Sequence, residues 1–384
     1  MNLKRIAAVI SKEWREIIRD RLFFALAFVV PAMLMLLFGY GLSLDVENIP
    51  FAVVDRDGSN LSRDYASRFI DSRYFQFKGY SNDERELEPL LSDNTLRAVI
   101  IIPEHFEKNL LAGRPAQVQT LIDGTFPFRA QTTKGYVIAI NSALSMQLLA
   151  SHLGRAQGLT PQQAQQMLQP VKLQVRYLYN QSVKSIWSLA PKLIMVILMV
   201  SPPFLTALGV VREKESGSIY NIYASTVSRG EFLIGKITPY VLISTVNALI
   251  LWLLASELFG APFKGDFLLF LVTSVIYVIC TTGIGLLVSV VVRTQVAAMI
   301  ATAIVTVVPA VLYSGVLIPI SSLSGQAQAT AHLLPAMYYT DIVMGSFLKG
   351  VGLTALWGNV LVLILYTVAL FSAGYFMFSK RPSA

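Results

Sequence analysis

The chain has 384 residues, of which 54% are hydrophobic and only 14% are charged. Soluble globular proteins carry about 25% charged residues, so the composition excludes an ordinary soluble protein, and its hydrophobicity excludes a disordered chain. The net charge is +8, which in a membrane protein first indicates topology and not nucleic-acid binding. The single cysteine, Cys280, excludes an internal disulfide and a thiolate metal cluster.

Residues 1–21 predict a cytoplasmic amphipathic helix ahead of the first membrane span. Apolar residues recur at helical spacing from Leu3 to Ile18, and charged residues occupy most positions between them. This pattern is typical of a helix that lies in the lipid headgroup layer. The residues expected to define this interfacial helix are Lys12, Glu13, Trp14 and Arg19. The alternative is a basic segment that only sets topology.

Six stretches contain the roughly 20 mostly apolar residues that a membrane-spanning helix requires. They are residues 22–44, 189–211, 239–258, 267–292, 296–317 and 353–378. The first lacks the short core and small-residue cleavage site of a signal peptide, so we expect it to be retained. The sequence therefore predicts an α-helical membrane protein, with helix 1 at 22–44 and helices 2–6 within 189–384.

Basic residues near the ends of the predicted spans lie mostly on one side of the membrane. Many precede the first span, and others fall in the loop 212–238 and after the last span, whereas the opposite short loops contain only Lys264 and Lys349. The positive-inside rule then predicts that both termini are cytoplasmic. Residues 45–188 are consequently expected outside the cytoplasm, in the periplasm or the extracellular space.

Residues 45–188 predict a mixed α/β domain inserted between helices 1 and 2. The expected strands are 49–54, 98–102, 118–122 and 171–177. The expected helices are 61–70, 83–91, one opened by Pro103, 128–157, and one capped by Thr160. The aromatic residues Tyr74, Phe75, Phe77 and Tyr80 are compatible with either a core or a partner surface.

No metal site is predicted in this domain. Neither His105 nor His152 has ligands at metal-binding spacing. The aspartates at the strand ends are interpreted as turn formers. They are Asp45, Asp55, Asp57 and Asp123.

The sequence lacks the motifs of an autonomous energy source. It contains no nucleotide-binding loop of the form Gly-x-x-x-x-Gly-Lys-Ser/Thr. The predicted spans hold no carboxylate except Glu257 at one end, and Lys192 is near enough to an end for its stem to reach the interface. Ion-driven transporters usually place ionisable groups at membrane depth. If the protein moves a substrate, the energy is therefore expected to come from another subunit.

The loop 212–238 resembles the cytoplasmic loop of ABC-2 type bacterial exporter permeases. It reads Arg-Glu-Lys-Glu-Ser-Gly-Ser-Ile-Tyr over 212–220, and Ser-Arg-Gly-Glu followed by Gly-Lys over 228–236. Further similarity lies in Lys12-Glu13 with Arg19-Asp20, in Phe38 to Gly41, and in Leu334 to Gly350. The loop departs from the family pattern at Lys214, Ser218 and Thr226.

The resemblance implies a membrane subunit without enzymatic activity, in which this loop docks on a separate ABC ATPase. The expected coupling residues are Glu213, Glu215, Gly217, Ser218, Tyr220, Arg229, Glu231 and Lys236. ATP and magnesium are expected on the ATPase, and no cofactor or metal on this chain. The residues themselves favour docking, because apolar side chains accompany the charges and Glu213 and Glu215 could pair with basic partner groups. The alternative is a solvated loop.

The resemblance also implies two permease copies or paralogues with a pathway between them. Its lining is expected from the second and fifth spans. The candidate lining residues are Ser201, Phe204, Leu205, Thr302, Thr306 and Ser314. Apolar side chains with small hydroxyls suit an amphipathic or lipid-like compound, although close helix packing explains small residues equally well.

These observations predict an ATP-driven exporter subunit of the bacterial inner membrane. It would move a drug-like or lipid-like compound outward, in contact with membrane lipid. A periplasmic adaptor protein is a further candidate partner. Two alternatives stay open. One is Na⁺ extrusion by the same architecture, and the other is a membrane sensor that signals through the same loop.

Overall fold

A computed structural model describes residues 2–42, 45–168, 175–218 and 225–377. The chain divides into two compact units. The membrane unit comprises Met1–Leu44 and Arg176–Ala384, and the inserted unit comprises Asp45–Val175. The inserted unit thus ends before residue 188, where the sequence prediction set the boundary.

The inserted unit is built on a four-stranded sheet with strand order β2-β1-β3-β4. The strands are β1 Ile49–Asp55, β2 Phe75–Ser81, β3 Ala98–Ile102 and β4 Gln119–Ile122. Strand β1 pairs in parallel with β2 and β3, and β3 pairs antiparallel with β4. The two central strands are nearly continuous runs of buried apolar residues, as expected for strands covered on both faces.

Helices alternate with these strands. They are α4 Asn60–Ile70, a 3₁₀ turn Glu84–Glu86, α5 Leu87–Ser92, α6 Phe106–Leu111, α7 Pro127–Gln157 and α8 Pro161–Leu168. The predicted cap of the last helix is present, since the Thr160 hydroxyl accepts a hydrogen bond from the Gln163 amide. Helix α6 begins at Phe106 and not at Pro103, because His105 adopts a left-handed conformation immediately before it.

The fourth strand differs from the prediction. It is β2, an edge strand in which buried or half-buried residues alternate with exposed ones. Phe75 and Phe77 face Phe51 of β1 at ring distances of 5.5 and 5.6 Å, so these aromatic residues belong to the core. Of the strand predicted at 171–177, residues 171–174 lie outside the described residues, and Val175 to Tyr177 are not in a strand.

The membrane unit consists of helices. Before the inserted unit lie α1 Leu3–Arg19, α2 Arg21–Phe24, a π-helical turn Ala25–Val29 and α3 Val30–Gly41. After it come α9 Ser185–Glu215, α10 Arg229–Leu253 with a π-helical turn Leu254–Leu258, α11 Phe267–Val291 and α12 Gln295–Leu312. The last part contains a 3₁₀ turn Ile320–Ser322, α13 Gly325–His332, α14 Pro335–Met344 with a π-helical turn Gly345–Lys349, and α15 Leu353–Met377.

Within the described residues, six helices are long and apolar enough to cross a membrane. Five of them coincide with predicted spans two to six, and the other is Pro127–Gln157 of the inserted unit. The predicted first span corresponds to the shorter apolar run Ala25–Gly41. The predicted fold class is confirmed: apolar membrane helices with a four-stranded α/β region between the first two spans.

Helix α9 forms the centre of the membrane unit. About 78% of its apolar window is buried, compared with 50% or less in the other candidate spans. It contacts α11 so closely that a Cβ atom on Gly285 would lie 2.3 Å from the Pro203 carbonyl oxygen. Close approach of this kind requires glycine. Helix α9 is therefore in direct backbone contact with α11.

Helix α14 packs inside the membrane unit although it precedes the last span. Tyr339 of α14 is fully buried and stacks on Tyr277 of α11, with ring centroids 4.0 Å apart. Its hydroxyl also shares a 2.7 Å hydrogen bond with Ser274. The predicted fifth span ends earlier than expected, at Leu312, and is followed by Gly315 in a left-handed conformation.

Candidate coupling site

Helix α1 packs against α10 through its apolar face. Ile6, Glu13 and Ile17 are buried and recur at roughly helical spacing. On α10, Gly235 offers no side chain at the contact, and a Cβ atom there would lie 2.7 Å from Cβ of Val9. The predicted interfacial helix therefore exists as a helix that rests on protein along one face. Its location in the headgroup layer stays a prediction, with Trp14 and Arg19 exposed.

Five polar residues of α1, α9 and α10 converge at the end of α9 that carries the loop. We call Lys12, Glu13, Glu213, Lys236 and Tyr240 the ionic cluster. The Lys236 ammonium lies 2.5 Å from a Glu13 oxygen and 3.2 Å from a Glu213 oxygen. Lys12 donates to the same Glu213 oxygen at 2.6 Å, and the Tyr240 hydroxyl donates to Glu13. The cluster therefore links three helices.

The cluster is buried at its centre. Lys236, Glu13 and Glu213 are 1%, 2% and 3% exposed. Burial raises the pKa of the Glu13 carboxyl, against the opposing charge and hydrogen bond of Lys236. Burial also disfavours the charged Lys12 ammonium, but its hydrogen bond and attraction to Glu213 prevail, so the pKa of Lys12 is raised.

Three carboxylates of this region lie close enough to be considered as metal ligands. Oxygens of Glu13, Glu16 and Glu213 lie within 4.8 Å of one another. The ammonium groups of Lys12 and Lys236, however, already bind Glu213, and Lys236 also binds Glu13. A second oxygen of Glu213 is buried without a partner in the described part of the chain. The arrangement is that of an ion-pair network and not of a cation site.

A second ion pair joins the end of α1 to α9. The Arg212 guanidinium lies 2.7 Å from the Asp20 carboxylate. Asp20 also accepts the backbone amide of Phe23, which lies in the next helical segment, Arg21–Phe24. The junction between α1 and the first span is thus fixed to the C-terminal end of α9.

Glu231 fixes the beginning of α1. It forms a capping box with Ser228 at the start of α10. Its other carboxylate oxygen accepts the backbone amide of Asn2 at 2.6 Å. Arg5 lies 3.9 Å from the same carboxylate and donates to the Thr226 carbonyl at 2.7 Å. Glu231 is therefore internal to the fold, as are Glu213 and Lys236.

The other predicted coupling residues lie nearer the surface. Glu215 accepts the backbone amide and the side-chain amide of Gln295 at 3.1 and 2.8 Å, at the start of α12. Gly217 follows the end of α9 by two residues and has a φ of 72°, and Ser218 lies beside it. Arg229 is exposed at the start of α10. Tyr220 lies outside the described residues. Contact of these residues with an ATPase stays a prediction.

The predicted pathway residues lie on the facing helices α9 and α12. Ser201, Leu205, Thr302 and Thr306 are buried, and Phe204 is half-buried. Ser314 is also buried, but it lies just beyond the end of α12. The hydroxyls of Ser201 and Thr302 have no hydrogen-bond partner within the described residues. Their role in a pathway stays a prediction.

Sequence reasoning missed how these residues combine. Lys12, Glu13, Glu213 and Lys236 were each selected, but their mutual contacts were not. Tyr240 was not selected at all, although it follows Lys236 by one helical turn and therefore shares its face. The pairing of Asp20 with Arg212 was also not predicted, and nothing in the sequence marked Asn2 as a partner of Glu231.

Comparisons with known proteins agree with this architecture. The sequence profile described as ABC-2 family transporter protein matches residues 21–376. The chain is 27% identical over 370 residues to the probable multidrug ABC transporter permease YbhS of Escherichia coli, covering 96% of this chain and 95% of that protein. It is 27% identical over 377 residues to the probable multidrug ABC transporter permease YbhR of Escherichia coli, covering 98% and 99%. It is 23% identical over 334 residues to the inner membrane transport permease YhhJ of Escherichia coli, covering 86% and 85%.

Together, the membrane helices, the inserted α/β unit and these matches define a class. The protein is a multi-pass membrane permease subunit of an ABC transporter, and it lacks the ATPase domain. More specifically, the chain belongs to the ABC-2 transporter family. Membership implies partnership with an ABC ATPase subunit. The resemblance seen in the loop 212–238 is thereby confirmed.

Proposed function

We propose that this permease works as a dimer with two ABC ATPase subunits and exports an amphipathic compound across a bacterial inner membrane. The ATPase subunits bind ATP and magnesium, and this chain binds neither. Its inserted unit lies on the outer side, where it shields the exit or contacts an adaptor protein. The names of YbhS and YbhR as probable multidrug permeases support a drug-like or lipid-like cargo. The name of YhhJ supports the inner membrane as its location.

The observation that carries the coupling part of this proposal is the ionic cluster. Glu213 lies in the last turns of α9 and is bonded to Lys12 of α1 and Lys236 of α10. A movement imposed on the loop after α9 therefore reaches α1 and α10 without a flexible joint. Because α9 is also the most buried of the candidate spans, the same movement reaches its contacts with the neighbouring membrane-spanning helices.

The proposal is tested with the permease and its ATPase purified together and reconstituted in inside-out vesicles. We expect ATP-dependent accumulation of a fluorescent amphiphile and no accumulation when ATP is omitted. Glu213→Gln keeps the shape of the side chain but weakens the cluster, so it should lower accumulation while ATP hydrolysis continues. Lys349→Gln, outside the cluster, is the control.

Two other outcomes would replace this proposal. Accumulation of ²²Na⁺ in place of the amphiphile would indicate Na⁺ extrusion. Failure to accumulate either, combined with an ATPase rate that responds to ligands of the inserted unit, would indicate a sensor.

A further inference from the structure

The membrane unit contains one charged side chain along the facing segments of α9 and α12. Lys192 is the only charged residue between Ser185 and Val211, and residues 295–318 contain none. Its ammonium nitrogen lies 2.9 Å from the backbone oxygen of Gly315, just beyond α12. The lysine therefore connects the two elements that we expect to line the pathway.

This ammonium has no counter-ion in the described part of the chain. The Gly315 carbonyl is the one acceptor that its nitrogen contacts among the described residues. A lysine ammonium can donate three hydrogen bonds, so two of them have no protein acceptor among the described residues. Placing a charge in an apolar surrounding is costly unless it is paired. The site thus favours an anion.

The position of Lys192 along α9 indicates the depth of the site. It precedes Glu213 by 21 residues, which in an α-helix corresponds to about 30 Å. This distance is close to the thickness of a bilayer hydrocarbon core, roughly 30 Å. With Glu213 near the cytoplasmic boundary, Lys192 lies near the outer one. The head group of an amphiphile would occupy that depth.

The stretch inward of Lys192 can accommodate the apolar part of such a molecule. It is apolar on both helices apart from small hydroxyls. The buried hydroxyls of Ser201 and Thr302 lack partners in the described residues. A lysine at the outer boundary also opposes the usual bias of basic residues toward the cytoplasm. A topological role therefore does not explain it.

We propose that Lys192 determines specificity by binding the anionic head group of an amphiphile, such as a carboxylate, sulfonate or phosphate. The Gly315 carbonyl occupies the ammonium when no anion is present, and a charged acceptor replaces it with a stronger hydrogen bond. The proposal deepens the proposed export function and rests on it for the role of the site in transport.

The experiment measures binding of two probes to the permease with its ATPase in phosphatidylcholine nanodiscs. The probes are dansyl-labelled undecanoic acid and its uncharged methyl amide, which share the apolar part. We expect the wild-type protein to bind the carboxylate about tenfold more tightly than the amide. Lys192→Met should lose this preference, and Lys192→Arg should retain it.

Lys264→Met is the matched control. Lys264 lies on the same predicted side and also donates to a backbone oxygen, that of Tyr179, at 2.9 Å, but it is exposed. This variant should keep the preference of the wild type. Equal binding of the two probes by the wild type, binding of neither, or a preserved preference in Lys192→Met would overturn the proposal.

Two further arms separate the sources of the anion and the two proposals. Adding phosphatidylglycerol to the nanodiscs weakens probe binding if a bilayer lipid fills the site, and leaves it unchanged if the site selects the free amphiphile. Both results require an anion site. If the preference is present but ATP drives no accumulation in vesicles, the export function fails and the anion site stands.

Discussion

Lys236 is the most buried charged residue of the ionic cluster. Its side chain is 1% exposed and is held by two carboxylates from two other helices. A buried ion pair is weak evidence of net stability, because desolvation offsets the attraction. Removing one partner is costly, however, because the remaining charges stay buried without compensation.

Replacing Lys236 with Met should therefore destabilise the membrane unit by about 3–5 kcal/mol, because Glu13 and Glu213 lose their shared cation. The measurement is the thermal midpoint of the purified permease, together with amide exchange in α1. Lys4→Met removes an exposed lysine of α1 and is the control. Equal midpoints for the two variants would contradict the prediction.

Asp123 makes the inserted unit sensitive to acid. Hydrogen bonds from the side chain and backbone of Thr125, and then Arg97, hold the pKa of its carboxyl below the usual 3.8. The folded state thus binds this proton less tightly than the unfolded state. The ionised Asp123 carboxylate therefore stabilises the folded unit above pH 3.8. This stabilisation is lost as the pH falls through the lowered pKa.

We expect Asp123→Asn to be less protected than the wild type against amide exchange in β3 and β4 at pH 5. The difference should shrink as the pH falls below 3.8, because the carboxyl of the unfolded wild type then binds a proton that the folded state binds only at lower pH. Asp71→Asn, at an exposed position of the same unit, serves as the control. A difference that stays constant down to the lowest pH would exclude this linkage.

At the residue scale, the sequence indicated which residues belong to the candidate site but not which residues they contact. Local charge and the family resemblance selected Lys12, Glu13, Glu213 and Lys236. Their contacts join positions more than 200 residues apart in sequence, and no local pattern encodes such a distance. The internal role of Glu231 was hidden for the same reason, because its second partner is the backbone of Asn2.

At the scale of helices, the closest contacts depend on glycine. Gly285 of α11 faces the backbone of Pro203 in α9, and backbone cannot move aside as a side chain can. Pro203 is one of two consecutive prolines inside α9. Proline removes a backbone donor, so it leaves a carbonyl one turn earlier without its usual partner. This part of α9 is consequently held by packing against α11.

Gly285→Ala should force α9 and α11 apart and destabilise the membrane unit by about 1–3 kcal/mol. Gly358→Ala is the matched control, because a Cβ atom there meets nothing within 4 Å. That substitution should leave the midpoint unchanged or raise it, since alanine favours helix by about 1 kcal/mol over glycine. The thermal midpoints of both variants decide the prediction. An unchanged midpoint for Gly285→Ala would refute it.

The elements themselves were predictable to different degrees. The long apolar runs predicted most ends of the later spans to within a few residues, because an apolar run of this length is typical of a membrane-spanning helix and of few other structures. Helix α12 ended early because Gly315 adopts a conformation that continues no helix. Strand β2 was missed because its aromatic residues alternate with polar ones at an edge, where a core cannot be told from a surface.

At the scale of the whole molecule, the predicted coupling residues fall into two groups. Glu213, Glu231 and Lys236 are buried and bonded within this chain. Arg229 is exposed at the start of α10. Only residues of the exposed group can contact an ATPase without rearrangement of the fold. The buried group can act on coupling through the relative positions of the helices.

Arg229→Glu should weaken association with the ATPase subunit about tenfold if that residue docks on it. An acidic residue is favourable at a helix N-terminus, so α10 should remain intact. The measurement is the amount of ATPase that co-purifies with the permease as salt is varied. Arg114→Glu makes the same change at an exposed position of the inserted unit. Equal recovery with both variants would remove Arg229 from the docking surface.

The contact between Glu13 and Lys236 also constrains biogenesis. The two residues are 223 positions apart, and ribosomes add about 5–20 residues per second. A nascent α1 consequently waits roughly 10–45 s before its lysine partner has been synthesised. During this interval the face of α1 that packs on α10 has no partner from that helix, so the late arrival of α10 sets when the N-terminal helix is captured.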